Sequence, residues 1–484
     1  MTAVATAYNT VIGLETHVQL LTASKMFCGC GVVTAGATPN TRVCPICLGM
    51  PGVLPVINRH AVDLTILTGL ALNCSIPEYA KFDRKNYSYP DLMKWYQISQ
   101  YDLPLCVRGW LDVDGPSGRR RIGIKRVHLE EDTAKLTHVT GDDGVPASLI
   151  DVNRSGVPLM EIVSEPELTS PEEAVAYGVK LRNLLRWLGV STTDMQHGAL
   201  RVDANISVWR HDEPVANVKV EIKNMNSFRA LGRALAHEAQ RQAAVRAAGQ
   251  PLVQETRGWD EASGTTLPQR TKEHAHDYRY FPEPDLPPLQ ISRARVERLR
   301  AELPALPEAV ARDLVATQGV AAEAAAELTS DRALARYALE VIARHPYGAD
   351  VVTWILQDVR RVLNARQLTT ETIPVPPAEM AALLALRRSG GLSSSMAAQV
   401  LDEMFATGRS VEAIIAARGR QISDADALAA LVQRVIAEHP QAAEDFRAGK
   451  KPAIQFLVGQ IMKATRGQAN PPMVTELLRR ELGG

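Results

Sequence analysis

Three short segments alternate apolar and polar residues, and this period of two constrains the fold more than any other feature of the sequence. The segments are VIGLETHVQL (11–20), RVDANISV (201–208) and VKVEIK (218–223). Because successive side chains of a strand project to opposite faces, each segment predicts a strand with one apolar and one polar face. The first segment places Glu15, His17 and Gln19 together on its polar face. We therefore expect a sheet that is buried mainly on one side.

The composition and residue pattern of the chain change after a Pro-rich segment, YFPEPDLPP (280–288). Before it, short strand-like runs are interrupted by one clear helix from Ser170 to Gly189 and another that follows Ser227. After it, Ala, Leu, Arg and Glu recur at helical spacing, with a second Pro-rich break at 373–377. The sequence predicts the α+β class, with a β-rich domain at 1–292, an all-helical domain at 293–405 and a small helical tail domain at 406–484.

The overall charge excludes a protein that is coated with positive charge for binding nucleic acid. Lys and Arg number 54, and Asp and Glu also number 54. No apolar run approaches the roughly 18 residues of a membrane span, and the first ten residues have no export-signal pattern. Six cysteines in 484 residues are too few for a disulfide scaffold, so reduced thiols are expected. These features predict a cytoplasmic protein.

Carboxylates and one imidazole are the candidate metal ligands. The run VHLEEDT (127–133) contains three adjacent carboxylates, which repel one another unless a cation compensates. With His17 and Asp203 on strand faces, this composition suits a hard divalent ion such as Mg²⁺ or Mn²⁺. For any single strand, a solvated polar face is the commoner meaning of such alternation. Both interpretations stay open from the residues alone.

The pairs Cys28/Cys30 and Cys44/Cys47 have the spacing of a four-thiolate zinc site. Packed thiols or an adventitious disulfide are the alternatives. A closed site with four cysteine ligands is structural rather than catalytic. Cys74 and Cys106 lie in no such pattern and are expected to be buried thiols.

The tail domain has a local excess of positive charge, with 11 Lys and Arg residues against 8 Asp and Glu from residue 406 onward. A basic patch of this size is usually a solvated surface, but it is also compatible with contacts to RNA phosphates. The candidate RNA-binding residues flank an apolar helix and are Lys450, Lys451, Lys463 and Arg466.

Several longer motifs resemble one family, the GatB proteins of the bacterial tRNA-dependent amidotransferase GatCAB. They include IGLETHVQL, KFDRKNYSYPDLMKWYQISQYD, HLEEDTAK, DVNRSGVPLMEIVSEPEL, VEIKNMNSF and FLVGQIMKATRGQANPPMV. The likeness covers nearly the whole chain in the same order. It implies a catalytic cradle domain, then a helical domain, then a tail domain that contacts tRNA.

The resemblance also implies a reaction. ATP phosphorylates the side-chain carboxylate of Glu on tRNA(Gln) or Asp on tRNA(Asn), and ammonia then displaces phosphate to form the amide. The implied partners are a GatA-like glutaminase that liberates ammonia, a GatC-like small protein, the mischarged tRNA and the synthetase that mischarges it. Which of the two aminoacyl-tRNAs is the substrate stays open.

The resemblance further implies roles for residues at matching positions. The residues at the positions of the Mg²⁺ cluster are Glu15, His17, Glu130, Glu131 and Asp203. All of these except Glu130 are also the expected catalytic residues. The residues at the positions of the ammonia channel are Lys85, Lys94 and Glu131. Those in contact with phosphate or substrate are Lys223, Asn224, Arg257 and Arg279. Because not all family members carry the four cysteines, the zinc prediction depends on spacing alone.

Two other functions stay open on particular features of the chain. The basic tail is compatible with a tRNA-binding scaffold that performs no chemistry. The Glu, His and Asp residues are compatible with an autonomous metal-dependent hydrolase.

Overall fold

The structure is a computed structural model that describes residues 8–32, 36–141, 143–213, 218–271, 275–418, 425–448, 450, 452–465, 469 and 471–483. It divides into two compact units, Met1–Leu306 and Pro307–Gly484. Strands occupy the first unit and helices dominate the second, which confirms the predicted α+β class. The proposed division at 292 and 405 stays a prediction. Helix Arg293–Glu302 lies within the first unit, where Arg295 forms an ion pair with Asp63.

The first unit is built on an eight-stranded sheet in the order β13-β12-β11-β10-β1-β9-β6-β5. Neighbouring strands are antiparallel except for β11 and β12, which are parallel. Smaller sheets have the orders β14-β3-β4, β15-β2 and β7-β8. The strands are β1 (Tyr8–Gln19), β2 (Tyr79–Ala80), β3 (Asp83–Asn86), β4 (Tyr96–Ser99), β5 (Cys106–Gly115), β6 (Gly118–Glu131), β7 (Lys135–Thr140), β8 (Pro146–Asp151), β9 (Pro158–Ser164), β10 (Leu200–Arg210), β11 (Val220–Lys223), β12 (Glu255–Asp260), β13 (Thr265–Thr271), β14 (Phe281–Pro282) and β15 (Leu289–Gln290).

The predicted alternation is present in β1. Ile12, Leu14 and Val18 are buried, while Glu15 and His17 lie half-buried on the opposite face. The apolar face is covered by three helices, α1 (Arg59–Ala71), α2 (Pro171–Leu188) and α3 (Phe228–Ala247), which share one core with the sheet. The polar face of the sheet therefore lies on the side away from these helices.

The ends of α2 and α3 lie where the sequence predicts them. The Ser170 hydroxyl accepts a hydrogen bond from the Glu173 backbone N–H, and Gly189 ends α2 in the left-handed conformation at φ 70°. Ser227 caps α3 in the same way, by accepting a hydrogen bond from the Ala230 N–H.

Helices make up most of the second unit, and one further helix, α4, ends the first. Helices α13 to α16 enclose their own apolar core, which includes Leu428, Leu457 and Leu478. In the part of the chain that the structure describes, no helix is long and apolar enough to cross a membrane. The helices are α4 (Arg293–Glu302), α5 (Pro307–Gln318), α6 (Ala322–Leu328), α7 (Arg332–Ile342), α8 (Gly348–Trp354), α9 (Arg360–Arg366), α10 (Pro377–Arg388), α11 (Ser394–Thr407), α12 (Val411–Arg418), α13 (Ala425–Glu438), α14 (Pro440–Arg447), α15 (Pro452–Ala464) and α16 (Pro471–Leu482).

The close packing of Gly109 in the first unit can be tested by substitution. Gly109 of β5 faces the turn after α1, and a Cβ there would lie 2.5 Å from the Leu72 carbonyl oxygen and against Cys74 Sγ. We expect Gly109→Ala to lower the free energy of unfolding by about 1–3 kcal/mol, because backbone must shift. Gly13→Ala is the control, since its nearest neighbour, Pro166, lies at an ordinary 3.6 Å. Equal stability of the two variants in denaturant titrations would contradict this packing.

Candidate active site

The centre of the polar sheet face holds two histidines and two glutamates. The strand register pairs His17 of β1 with Glu161 of β9, and Glu161 in turn with His128 of β6. Glu130 lies two residues beyond His128 and therefore projects from the same face. We call His17, His128, Glu130 and Glu161 the histidine–glutamate cluster.

The atoms of this cluster are close enough to interact directly. His17 Nε2 lies 3.7 Å from Glu130 Oε1 and 3.6 Å from Glu161 Oε2. His128 Nε2 lies 3.2 Å from Glu161 Oε2 and 3.9 Å from Glu130 Oε2. His128, Glu130 and Glu161 are buried, whereas His17 keeps some exposure. The cluster thus reaches solvent at His17.

The carboxylates of Glu161 and Glu130 raise the pKa of the His17 imidazole. Burial lowers the pKa of His17, but the hydrogen bond and charge of Glu161 and the charge of Glu130 outweigh it and raise the pKa to about 9. Burial raises the pKa of Glu161, yet the charges and hydrogen bonds of His128 and His17 hold it well below its ordinary value. The site therefore favours a positive charge between its carboxylates.

A divalent cation fits this arrangement. His17, Glu130 and Glu161 each offer one ligand atom, and the three atoms lie within 4.8 Å of one another. Two carboxylates with one imidazole suit Mg²⁺ or Mn²⁺. Neither Glu161 nor His128 was predicted from the sequence. A lone carboxylate in the apolar run VPLMEIV (157–163) was the available signal for Glu161.

Glu15 and Asp203 lie on the same polar face, but their carboxylates accept hydrogen bonds from residues outside the cluster. They are opposite each other in the register of β1 and β10. Glu15 Oε1 accepts from Asn205 Nδ2 at 2.9 Å, and Asp203 Oδ2 accepts from Lys223 Nζ at 3.1 Å. Among the described residues, neither belongs to the compact group of His17, Glu130 and Glu161.

Glu131 is engaged separately from the cluster. Its Oε1 lies 2.5 Å from Lys94 Nζ and accepts the backbone N–H of Ile98 at 3.0 Å. Because consecutive residues of a strand project to opposite faces, Glu131 and Glu130 point apart. Of the predicted channel residues, the structure therefore joins Glu131 to Lys94. Lys85 lies instead over the Tyr278 ring, with Nζ 4.9 Å from its centroid.

The predicted phosphate or substrate contacts occupy different surroundings. Arg257 is held by Glu255 at 2.7 Å and by the Thr266 carbonyl at 2.6 Å, which makes it part of the packing between β12 and β13. Lys223 is bonded to Asp203. Asn224 and Arg279 have positive φ values of 66° and 45°.

The predicted tail residues are partly described. Lys450 Nζ pairs with Asp445 at 3.0 Å, and Lys463 is exposed in the last turn of α15. Lys451 and Arg466 lie outside the described residues.

The four cysteines of the predicted zinc site converge. Their Sγ atoms lie within 4.8 Å of one another, and those of Cys44 and Cys47 are 3.9 Å apart. Tetrahedral zinc with bonds of about 2.3 Å requires sulfur atoms roughly 3.8 Å apart, so the donor set fits. A hydrogen bond from Cys28 lowers the pKa of Cys47 to about 4 against the effect of burial, helped by the Cys44 N–H and the charge of Lys25.

Asp132 ties three strands together beside the cluster. Its carboxylate accepts hydrogen bonds from Arg201 NH2 at 2.9 Å and Gln19 Nε2 at 2.7 Å, and it pairs with Arg154 Nε at 3.7 Å. Burial raises the pKa of Asp132, but the charges of Arg201 and Arg154 and the Gln19 hydrogen bond outweigh it and hold this pKa below its ordinary value. Asp132 therefore stabilises the site in its ionised form.

The chain is similar to known proteins along nearly its whole length. Residues 10–297 match the family model of the GatB/GatE catalytic domain, and residues 332–482 match that of the GatB domain. A relative from Moorella thermoacetica is 54% identical over 476 residues, covering 98% of this chain and all of the relative. One from Thermomicrobium roseum is 51% identical over 479 residues, covering 98% and 99%. Both relatives are named as the B component of aspartyl/glutamyl-tRNA(Asn/Gln) amidotransferase.

A catalytic domain of this kind, followed by the second matched domain, defines the chain as a component of an amidotransferase. The chain belongs to the GatB family, and the resemblance found in its motifs is confirmed. Membership of this family argues against the alternative of an autonomous metal-dependent hydrolase.

The buried carboxylate of Asp132 provides a test with a defined pH dependence. We expect Asp132→Asn to lower the free energy of unfolding by roughly 2–4 kcal/mol at pH 7, because it breaks a buried ion pair. Since the folded pKa is depressed, this contribution is present above the ordinary Asp value of about 3.9 and is lost as pH falls through the folded value. The difference between wild type and variant should shrink in acid, as measured by denaturant titration.

Asp112→Asn is the matched control for this experiment. Asp112 pairs with Arg121 at 2.8 Å near the surface, so its loss should cost less than about 1 kcal/mol. If both variants lose the same stability at pH 7, Asp132 does not hold the strands together as described.

Proposed function

We propose that the chain catalyses ATP-dependent amidation of Glu on tRNA(Gln), of Asp on tRNA(Asn), or of both. The side-chain carboxylate is first phosphorylated, and ammonia then displaces phosphate to form Gln-tRNA(Gln) or Asn-tRNA(Asn). The compact group of His17, Glu130 and Glu161 on the open face of a GatB/GatE catalytic domain carries this proposal. The names of the relatives support the substrate class.

The proposed Mg²⁺ ligands are His17, Glu130 and Glu161, with Glu15 and Asp203 next to them along β1 and β10. When bound there, Mg²⁺ offsets negative charge on the transferred phosphate. Glu131 is not in this ligand set, because its carboxylate is bonded to Lys94 and Ile98.

Nearby cations supply the positive charge that ATP phosphates require. Arg126 NH2 lies 3.9 Å from Glu161, Arg201 pairs with Asp132 and lies opposite His17 in the strand register, and Lys223 pairs with Asp203 on the same polar face. Fixed cations around the reacting phosphate stabilise developing negative charge without reorganisation, which is a large part of catalysis of this kind. We also propose Asn224, Arg257 and Arg279 for substrate contacts, although Arg257 already has carboxylate and carbonyl partners.

Ammonia must reach the activated carboxylate while water is kept out. An acyl phosphate hydrolyses when wet, so a shielded supply of ammonia matches the chemistry. We assign Lys94 and Glu131 to the ammonia path because half-buried Lys94 forms an ion pair with buried Glu131 at the end of β6. Lys85 is a further proposed member of this path.

The proposed assembly contains a GatA-like glutaminase and a GatC-like small protein, and it acts in the cytoplasm. The mischarged tRNA is its substrate, and the mischarging synthetase is a proposed partner. The tail is assigned to tRNA backbone contacts through its basic residues, which are Lys450, Lys451, Lys463 and Arg466.

Glu161→Gln tests the catalytic assignment. In the assembled complex we expect tRNA amidation to fall at least about 100-fold, more than is typical for a residue that only supports a metal ligand. Glutamine hydrolysis by the partner should survive. Both rates are measured with mischarged tRNA, ATP and glutamine. Glu172→Gln, at an exposed position in the first turn of α2, is the control.

Wild-type amidation in the Glu161→Gln complex would overturn the assigned metal group. A complex that shows no ATP hydrolysis dependent on mischarged tRNA would instead favour the tRNA-binding scaffold.

We also propose that Cys28, Cys30, Cys44 and Cys47 bind one structural Zn²⁺. Metal analysis of the purified protein should give one zinc per chain, and Cys47→Ser should remove it because three thiolates no longer close the site. Cys74→Ala is the control, as Cys74 is a buried thiol outside the group. Substoichiometric zinc together with four titratable thiols in the wild-type protein would refute the site.

A further inference from the structure

The turn that carries Cys44 and Cys47 packs against the stem of Lys94. We call residues 44–50 the cysteine loop. Its backbone is closed by hydrogen bonds from the N–H groups of Leu48, Gly49 and Met50 to the carbonyls of Cys44, Ile46 and Pro45, each 3.0 Å long. These bonds close a tight turn that holds Cys44 and Cys47 with their sulfur atoms 3.9 Å apart.

Gly49 is the point of contact. It has φ 68°, and a Cβ there would lie 2.6 Å from Lys94 Cγ and 3.1 Å from Lys94 N. Only a residue without a side chain permits this approach, and φ in the left-handed region also favours glycine. The backbone of the cysteine loop therefore limits where the Lys94 side chain can lie.

Lys94 and the cysteine loop share a small cavity. Its volume is about 20 Å³, enough for one molecule of the size of water or ammonia. The Lys94 side chain is 13% exposed, and its Nζ lies 2.5 Å from Glu131 and 5.5 Å from the Tyr96 ring centroid. Residues of both cysteine pairs line the cavity together with the ion pair, namely Cys28, Ile46, Cys47, Lys94, Tyr96 and Glu131.

We propose that the cysteine loop forms a wall of the ammonia path and that Gly49 positions Lys94 against Glu131. The inference rests on the proposed function, because it takes Lys94 and Glu131 as path residues. According to this proposal, the four-cysteine site does more than stabilise the fold. It fixes the position of the side chains past which ammonia reaches the amidation centre. Gly49 is a positioning residue, since it acts through Lys94.

The test compares two nitrogen donors in the complete complex that contains Gly49→Ala. With glutamine as donor, amidation should fall on the order of tenfold to a hundredfold, because the added methyl displaces Lys94. With ammonium chloride as donor, we expect ammonia to enter from solvent on the side of His17 and not past the cysteine loop, so the rate should equal that of wild type. Glutamine hydrolysis should continue, so that ammonia is released without amide formation.

Gly52→Ala is the matched control. Gly52 lies just beyond the loop with φ 84°, but a Cβ there meets no atom within 4 Å. It therefore carries the same backbone strain without the contact, and both donors should support the wild-type rate. If Gly49→Ala and Gly52→Ala have equal glutamine-dependent rates, the inference is overturned.

A double-mutant cycle separates this inference from the proposed function. Lys94→Ala should reduce glutamine-dependent amidation, and Gly49→Ala should add little further loss in that background, since the closest clash, with Lys94 Cγ, is gone and only the 3.1 Å approach to the Lys94 backbone N is left. Losses that multiply would show that Gly49 acts by another route and would overturn the inference. If Lys94→Ala itself keeps the glutamine-dependent rate, the assignment of Lys94 to the ammonia path fails.

Discussion

The register of four antiparallel strands, β10-β1-β9-β6, is the constraint on which the rest of the first unit depends. It places His17 opposite Glu161 and Glu161 opposite His128, while the other face of the same strands is buried under helices. A slip of one residue would turn every charged side chain of one strand into the apolar core. The buried core thus holds the charged cluster in position, and Asp132 reinforces the register by joining Arg201 of β10 to Gln19 of β1.

Two consecutive residues of β6 link the two candidate regions. Glu130 lies in the histidine–glutamate cluster, and Glu131 pairs with Lys94 beside the cysteine loop. Since the pleat separates their side chains, one strand can serve the proposed phosphate chemistry on one side and the proposed ammonia supply on the other. This arrangement also gives the four cysteines a connection to function, because their loop contacts Lys94 through Gly49.

The sequence predicted the fold class, the limits of α2, the start of α3 and the convergence of the four cysteines, because each depends on local signals such as caps, periodicity and paired spacing. It also selected His17 and Glu130. It missed Glu161 and His128, since a lone glutamate in an apolar strand has no neighbour in the sequence that shows its partner. It placed Glu131 in the proposed Mg²⁺ group, and in the structure that carboxylate pairs with Lys94.

Local sequence signals alone specify the alternating strands, the capped helices, the change to helical texture after the Pro-rich segment and the motifs of the family. These features depend on residues close together along the chain. The tertiary structure was needed to show which carboxylates meet His17, which glutamate pairs with Lys94, and that Gly49 touches the Lys94 stem. Such contacts join residues far apart in the chain, as in the pair of Lys94 and Glu131, which are 37 positions apart. They follow from strand register and close packing, which no local pattern encodes.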